Sequence, residues 1–209
     1  MTPEQVQRLF TRSDGSYHFS RWGRPLSPVV FGVEDDTLTV VKGAIEAVAT
    51  LARVEIAETD PELGANLMIF FLRDWPELAD VPKLDRLLPG LSQLIGRLQT
   101  ADANQYRTFR FDEGGGIKAC FVFLKMDNSM QELPADDLAL AQVVQIILAW
   151  GEQAFAGNSP LARLPDSGAA VLKPDIAAVI RAAYDPAMPV AANDASHALR
   201  LVARLEPQP

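Results

Sequence analysis

Cysteine and histidine are scarce, with one cysteine, Cys120, and two histidines, His18 and His197, in 209 residues. A lone cysteine excludes a disulfide framework and any multi-cysteine metal site. Cys120 sits in the apolar run ACFVFL with no basic neighbour to favour a thiolate, so it reads as a buried strand residue and not as a nucleophile. The histidines lie near opposite ends of the chain, whereas a zinc site takes about three or four protein ligands. Both read as surface or structurally satisfied rings, and most histidine-dependent triads go with them. Ser13, Ser16 and Ser20 flank His18, but no GxSxG elbow is present.

Long apolar runs are missing as well. No segment reaches the ~18 continuous apolar residues of a membrane span, and MTPEQVQRLF lacks the apolar stretch of a signal peptide. The chain therefore reads as cytoplasmic; an exported precursor whose leader had been removed would read the same way. Positive charge is never concentrated. The net charge is −8 and no segment gathers lysine and arginine, which argues against nucleic acid or an anionic membrane as the main partner. Repeats and low-complexity linkers are absent, and one domain over residues 1–209 is expected.

What is present is ordinary globular composition, 48% hydrophobic and 22% charged, enough for a sizeable core. Pro3 suits the first turn of a short helix over 3–11, and YHFSRW reads as extended. SPVVFGV (27–33) reads as a strand. From Asp36 to Arg53, apolar residues recur at Leu38, Val41, Ile45, Val48 and Leu51, the spacing of a helix with one buried face and Asp36 available as its cap. NLMIFFL (66–72) is short and apolar throughout, as suits a strand covered on both faces. Strand, helix and strand make a unit that sets neighbouring strands parallel. LDRLLPGLSQLIGRLQTADA predicts a helical stretch interrupted at Pro89 and Gly90. YRTFRFDEGGGIKACFVFLKM predicts two strands joined around DEGGG, so the sheet is expected to mix parallel and antiparallel pairs. Beyond Pro134 the pattern is helical, first over Leu138 to Phe155 with Asp136 or Asp137 as cap. Past a loop it is helical again over 174–184 and 191–205.

On a helical wheel of the 138–155 segment, Gln142, Gln145, Ala149 and Glu152 fall in one strip, and large apolar residues such as Val143, Ile146, Ile147 and Trp150 occupy the rest. A helix apolar over most of its girth is buried, with its thin polar strip turned to solvent or a cleft. A mixed sheet, a hairpin and then such a helix is the order seen in zinc-dependent metallopeptidases of the zincin type. Through RWGRPLSPVVFG, ANLMIFFL, AQVVQ and IRAAYDPAMP the chain resembles an uncharacterised bacterial family with a zincin-like outline and a degenerate zinc motif. The resemblance implies an α+β fold, a mixed β-sheet with packed helices in a single zincin-like domain, and it implies no activity. Zincins carry HExxH on that helix, because two histidines four apart on one face grip zinc while the adjacent glutamate activates water. The matching positions here are Ala141, Gln142 and Gln145. Alanine has no donor atom, and neutral glutamine is a poor ligand and no base. Metal-dependent peptidase chemistry by this route is excluded, and neither zinc nor another cofactor is expected.

DEGGGIK lacks the spacing of a phosphate loop and reads as a turn. The acid pairs Asp35/Asp36 and Asp136/Asp137 precede predicted helices and are accounted for by capping and the helix dipole. YDPAMP reads as a helix stop. RWGRP is less ordinary: Arg21, Trp22 and Arg24 are residue types favoured at binding hot spots. The alternative is that Trp22 packs on the sheet and the arginines pair with some of the 27 acidic residues.

Two functions remain open. One is a non-catalytic protein that takes a peptide or protein partner in a peptidase-like cleft without its metal, using Arg21, Trp22, Arg24, Gln142, Gln145 and Glu152 as the candidate binding surface and the strand at 117–125 as the edge on which a peptide pairs. A second copy of the chain is another occupant such a groove would accept. The other is a hydrolase whose acid and base are carboxylates brought together in a cleft. If the glutamine strip is wetted, Ile147→Ala costs about 2 to 5 kcal/mol through lost transfer energy and the cavity left behind, and Gln145→Ala costs much less. Chemical denaturation of the two variants measures the contrast.

Overall fold

The two apolar runs NLMIFFL and ACFVFL supply the central strands of the sheet. The computed structural model describes residues 1–205 and is an α+β fold. Helix α1 (Pro3–Leu9) opens the chain, with Thr2 and Gln5 exchanging bonds as a capping box. The short strand β1 (Phe19–Ser20) leads to β2 (Pro28–Phe31), helix α2 (Asp35–Ala52) and β3 (Leu67–Leu72). A 3-10 turn at Trp75–Asp80 and helices α3 (Leu84–Leu87) and α4 (Leu91–Thr100) precede the hairpin of β4 (Gln105–Phe111) and β5 (Ile117–Lys125). Helices α5 (Asn128–Gln131) and α6 (Ala135–Ile146) follow, then the small hairpin β6 (Leu161–Arg163) and β7 (Ala170–Leu172). Helix α7 (Pro174–Ala183), β8 (Ala191–Ala192) and α8 (His197–Val202) come last. Among the described residues no helix is long and apolar enough to cross a membrane.

The main sheet has the order β2-β3-β5-β4, with β2 and β5 parallel to β3 and β4 antiparallel to β5. The strand–helix–strand unit and the glycine hairpin thus form as the sequence indicates, and the sheet is mixed. Alternation along each strand sorts side chains to two faces. Leu67, Ile69, Phe71, Cys120, Val122 and Leu124 join a core that includes residues of α1, α2, α6, α7 and α8. Phe70, Leu72, Phe121 and Phe123 pack instead with Trp75, Leu78, Leu84 and the buried face of α4. Cover on both faces is why these strands read as unbroken apolar runs. Cys120 is fully buried, and burial pushes its thiol up to about 12, far from a nucleophile's range.

Several expectations are corrected. The sheet edge beside the hairpin is β4 and not the 117–125 strand, because β5 is paired on both sides, by β3 and by β4. Asp36 does not cap α2: Glu34 holds the N-cap position without a side-chain bond, and Asp35 and Asp36 lie in the first turn. Asp136 and Asp137 stand likewise in the first turn of α6 behind Pro134, where they face the positive end of the helix dipole. The final helix begins at His197 and not at 191, since Ala191 and Ala192 pair with β1.

The largest correction is that α6 ends at Ile146, not Phe155. Its last carbonyls are taken by aromatic side chains before the chain can continue the helix. Trp150 Nε1 donates to the Val144 carbonyl at 2.8 Å, Trp22 Nε1 to that of Ile146 at 2.8 Å, and the Tyr184 hydroxyl to that of Ile147 at 2.7 Å. The freed backbone pairs elsewhere, Ala149 N–H with the Ser20 carbonyl at 2.9 Å and Gly151 N–H with that of Leu9 at 2.8 Å. Gly151 passes so close to Thr11 that a Cβ there would lie 2.2 Å from the Thr11 carbonyl oxygen. Leu148 and Ala149 are therefore buried without being helical, and an apolar wheel could not tell the two cases apart.

His197 is only 3% exposed. Its Nδ1 lies 2.8 Å from the Tyr17 hydroxyl, and its Nε2 is buried without a partner. Burial, with Arg200 adding, lowers its pKa from 6.5 to about 4. Between those values the unfolded chain binds more protons than the folded one, so stability falls as pH drops through this window. In urea titrations from pH 7 to 4, His197→Gln, which keeps an acceptor for Tyr17 but does not titrate, should lose stability less steeply than the natural protein. Parallel acid limbs would show that the ring is not the source.

Candidate functional site

A cleft of about 810 Å³ lies between β4 and the chain that leaves α6, with residues from Ala149 to Pro160 opposite Gln105 to Phe111. That volume is within the range of ligand sites, roughly 300–1,000 Å³. The chain that leaves α6 at Ile146 supplies Glu152, Phe155 and Ser159 to this wall.

β4 supplies the first wall with a defined face and edge. The Lys125 amide donates to the Asn104 carbonyl at 2.8 Å. Antiparallel alternation from that point turns the backbone groups of Tyr106 and Thr108 toward β5 and those of Gln105, Arg107 and Phe109 outward. The side chains of Gln105, Arg107 and Phe109 share the α6 face of the sheet, beside Leu124, Val122 and Cys120.

Arg107 is the centre of the site. Its Nη1 donates to Gln145 Oε1 at 3.0 Å and its Nη2 to Gln142 Oε1 at 2.7 Å. The amide nitrogens are engaged elsewhere, Gln142 Nε2 with Gln105 Oε1 at 3.1 Å and Gln145 Nε2 with the Ala141 carbonyl at 3.2 Å. A guanidinium can only donate, so both amides must turn their oxygens to it. No ion pair among the described residues includes Arg107, and its Nε is buried without a partner. Burial draws its pKa down from the arginine value, yet a guanidinium stays protonated in proteins. The floor of the cleft therefore carries a positive charge balanced only by amide dipoles.

The residues expected to form one surface are divided. Gln142 and Gln145 do sit together, but not as a wetted strip: Gln142 is 5% exposed and both hold the guanidinium. Glu152 lines the cleft and accepts from the Ser13 amide at 2.9 Å. Trp22 is 1% exposed, committed to the end of α6, and thus not part of any surface. Arg21 donates to the Met188 carbonyl at 3.2 Å and stacks 5.3 Å from the Tyr184 ring centroid. Arg24 pairs with Asp60 and Glu62 at 3.5 and 3.3 Å. Trp22 packs and Arg24 pairs with acidic residues, as the alternative for RWGRP has it, whereas Arg21 meets carbonyls and an aromatic ring in place of an acid.

Arg12 and His18 also line the cleft. His18 Nδ1 meets Asn193 Oδ1 at 3.1 Å while Nε2 is buried and unpartnered, and burial lowers its pKa. Sequence reasoning passed over Arg107. The available signal was the alternation of Gln105, Arg107 and Phe109 on one strand face, opposite two glutamines that an otherwise apolar helix would have to satisfy. Among the described residues no three His, Cys, Asp or Glu side chains gather as a metal site. Comparisons of the chain with family models, with curated proteins and with solved structures found no match.

These contacts revise the expectation for the strip. Gln142→Ala strands a donor of a part-buried charge and should cost about 1.5 to 3 kcal/mol, and Gln145→Ala a similar or slightly smaller amount. Arg107→Met removes the charge but leaves the Gln142 and Gln145 oxygens without their donor, so it too should cost about 1 to 3 kcal/mol. In the Arg107→Met background Gln142→Ala should cost clearly less than alone, a coupling read by urea denaturation of the four proteins. Additive losses would mean that the guanidinium does not depend on the amides.

Proposed function

We propose that this protein binds an extended peptide, free or as a segment of a partner protein, in the cleft beside β4, as a non-catalytic member of a zincin-like fold without metal chemistry. The observation that carries the reading is the open outer edge of β4 along the cleft. An extended chain can add there as a further strand, gaining main-chain bonds from Gln105, Arg107 and Phe109 while its side chains meet the opposite wall. Such pairing needs no metal. The helix that follows the hairpin sends two glutamines, not histidines, toward this floor, and in place of an ion they hold the Arg107 guanidinium.

Nothing comparable supports carboxylate-based hydrolysis. Acid–base work of that kind uses two carboxyl groups in different environments, and Glu152 is the one carboxylate among the residues that line the cleft.

A randomised decapeptide library passed over the immobilised protein tests the reading. Retained peptides, resynthesised and added to the protein, should slow amide hydrogen exchange at Gln105, Arg107 and Phe109 by at least about tenfold, with little change at the inward-paired Tyr106 and Thr108. Protection confined to another surface, or no retained peptide, would reject the cleft as a peptide site.

A further inference from the structure

The part-buried guanidinium bears on what such a peptide must carry. We infer that Arg107 selects for a carboxylate on the ligand, which completes the site by pairing with a guanidinium that, among the described residues, is held by amides and not by a counter-charge. The inference rests on the peptide reading above for the source of the carboxylate, and on the geometry of Arg107 for the chemistry.

Burying an unpaired charge is unfavourable, and folded chains ordinarily avoid it by pairing or exposure. This chain had ample means to pair it, with 27 acidic residues, and Arg24, Lys118, Lys125, Arg163 and Arg204 all have carboxylate partners. Arg107 meets two neutral amides instead, and unlike Arg12, another arginine of the cleft without an ion pair among the described residues, its Nε is enclosed by the protein. A glutamate at 142 or 145 would occupy the same volume and neutralise the charge internally; glutamine holds the fork in position and leaves the charge for something else.

The donor count narrows the chemistry. Each terminal nitrogen of Arg107 uses one N–H on a glutamine, which leaves one N–H on each; the Nε–H is enclosed by the protein and out of a ligand's reach. A flat group with two oxygens fits the remaining edge of such a fork. A tetrahedral dianion would need more donors than this floor presents, and would lie in a cleft that also holds the Glu152 carboxylate. The carboxylate can come from the C-terminus of a peptide or from an aspartate or glutamate side chain.

The test compares forms of one peptide retained from the decapeptide library: its free acid, its C-terminal amide, and versions with each acidic side chain changed to the corresponding amide. One of these neutralisations should weaken binding to the natural protein about thirtyfold or more, as expected for truncating one partner of a buried charge pair. Which one does so identifies the source. The same change should have little effect on Arg107→Met, and little on Gln145→Glu, which supplies its own carboxylate to the fork and serves as the check if Arg107→Met does not fold. A peptide indifferent to every neutralisation, or a penalty that persists in both variants, overturns the inference while leaving peptide binding intact. If no peptide is retained, N-acetylglycine and inorganic phosphate are titrated against 15N-labelled protein. Shifts of Arg107 and Gln145 resonances with N-acetylglycine that vanish in Gln145→Glu uphold the carboxylate site without the peptide. Shifts with phosphate alone, or with neither, overturn it.

Discussion

The end of α6 is held by three aromatic donors from three parts of the chain, and the shape of the molecule around the cleft depends on it. Trp22 comes from the segment before β2, Tyr184 from the end of α7, and Trp150 from the chain that has just left the helix. Each bond is worth only about 1 kcal/mol net, but an unmet carbonyl in the same buried place would cost about 1 to 3 kcal/mol. The Tyr184 hydroxyl also accepts from the Trp22 amide at 3.2 Å, so one oxygen ties α6, α7 and the N-terminal segment together. With the helix stopped there, residues 149–160 become a wall of the cleft.

That arrangement separates a packing task from a recognition task within one short stretch of sequence. Arg21, Trp22 and Arg24 carry the residue types of a hot spot, yet they serve the scaffold. Arg24 adds to a network in which Asp60 accepts from the Glu62 and Leu63 amides and from Asn66, which in turn receives the Ser27 amide. The recognition chemistry moves instead to Arg107, a residue without a motif, whose importance comes from what surrounds it.

On the α6 face of the sheet, Arg107 and its neighbour Gln105 are polar beside the core residues Leu124, Val122 and Cys120. Replacing Arg107, Gln142 and Gln145 together by apolar side chains would suit the fold at least as well, which makes the cluster a feature that folding stability does not explain. The two amides do for the guanidinium what a carboxylate would do in orientation, without what it would do in charge.

Periodicity and turn chemistry determined the α+β class, the parallel β2–β3 unit, the DEGGG hairpin, the mixed sheet and the burial of Cys120. Those follow from local pattern, because a strand covered on both faces must be apolar throughout and a tight hairpin needs glycine. The same pattern misjudged α6 beyond Ile146, since Leu148 and Ala149 are as buried in an irregular segment as they would be in a helix, and apolarity reports burial and not backbone conformation. Nor could it say which strand of the hairpin is the edge. That depends on β3 returning beside β5, a pairing between residues some fifty positions apart. The Arg107–Gln142–Gln145 contact was decided at the same level: it joins side chains from two elements over 35 and 38 positions, and only the closing of α6 over the sheet brings their donors and acceptors within reach.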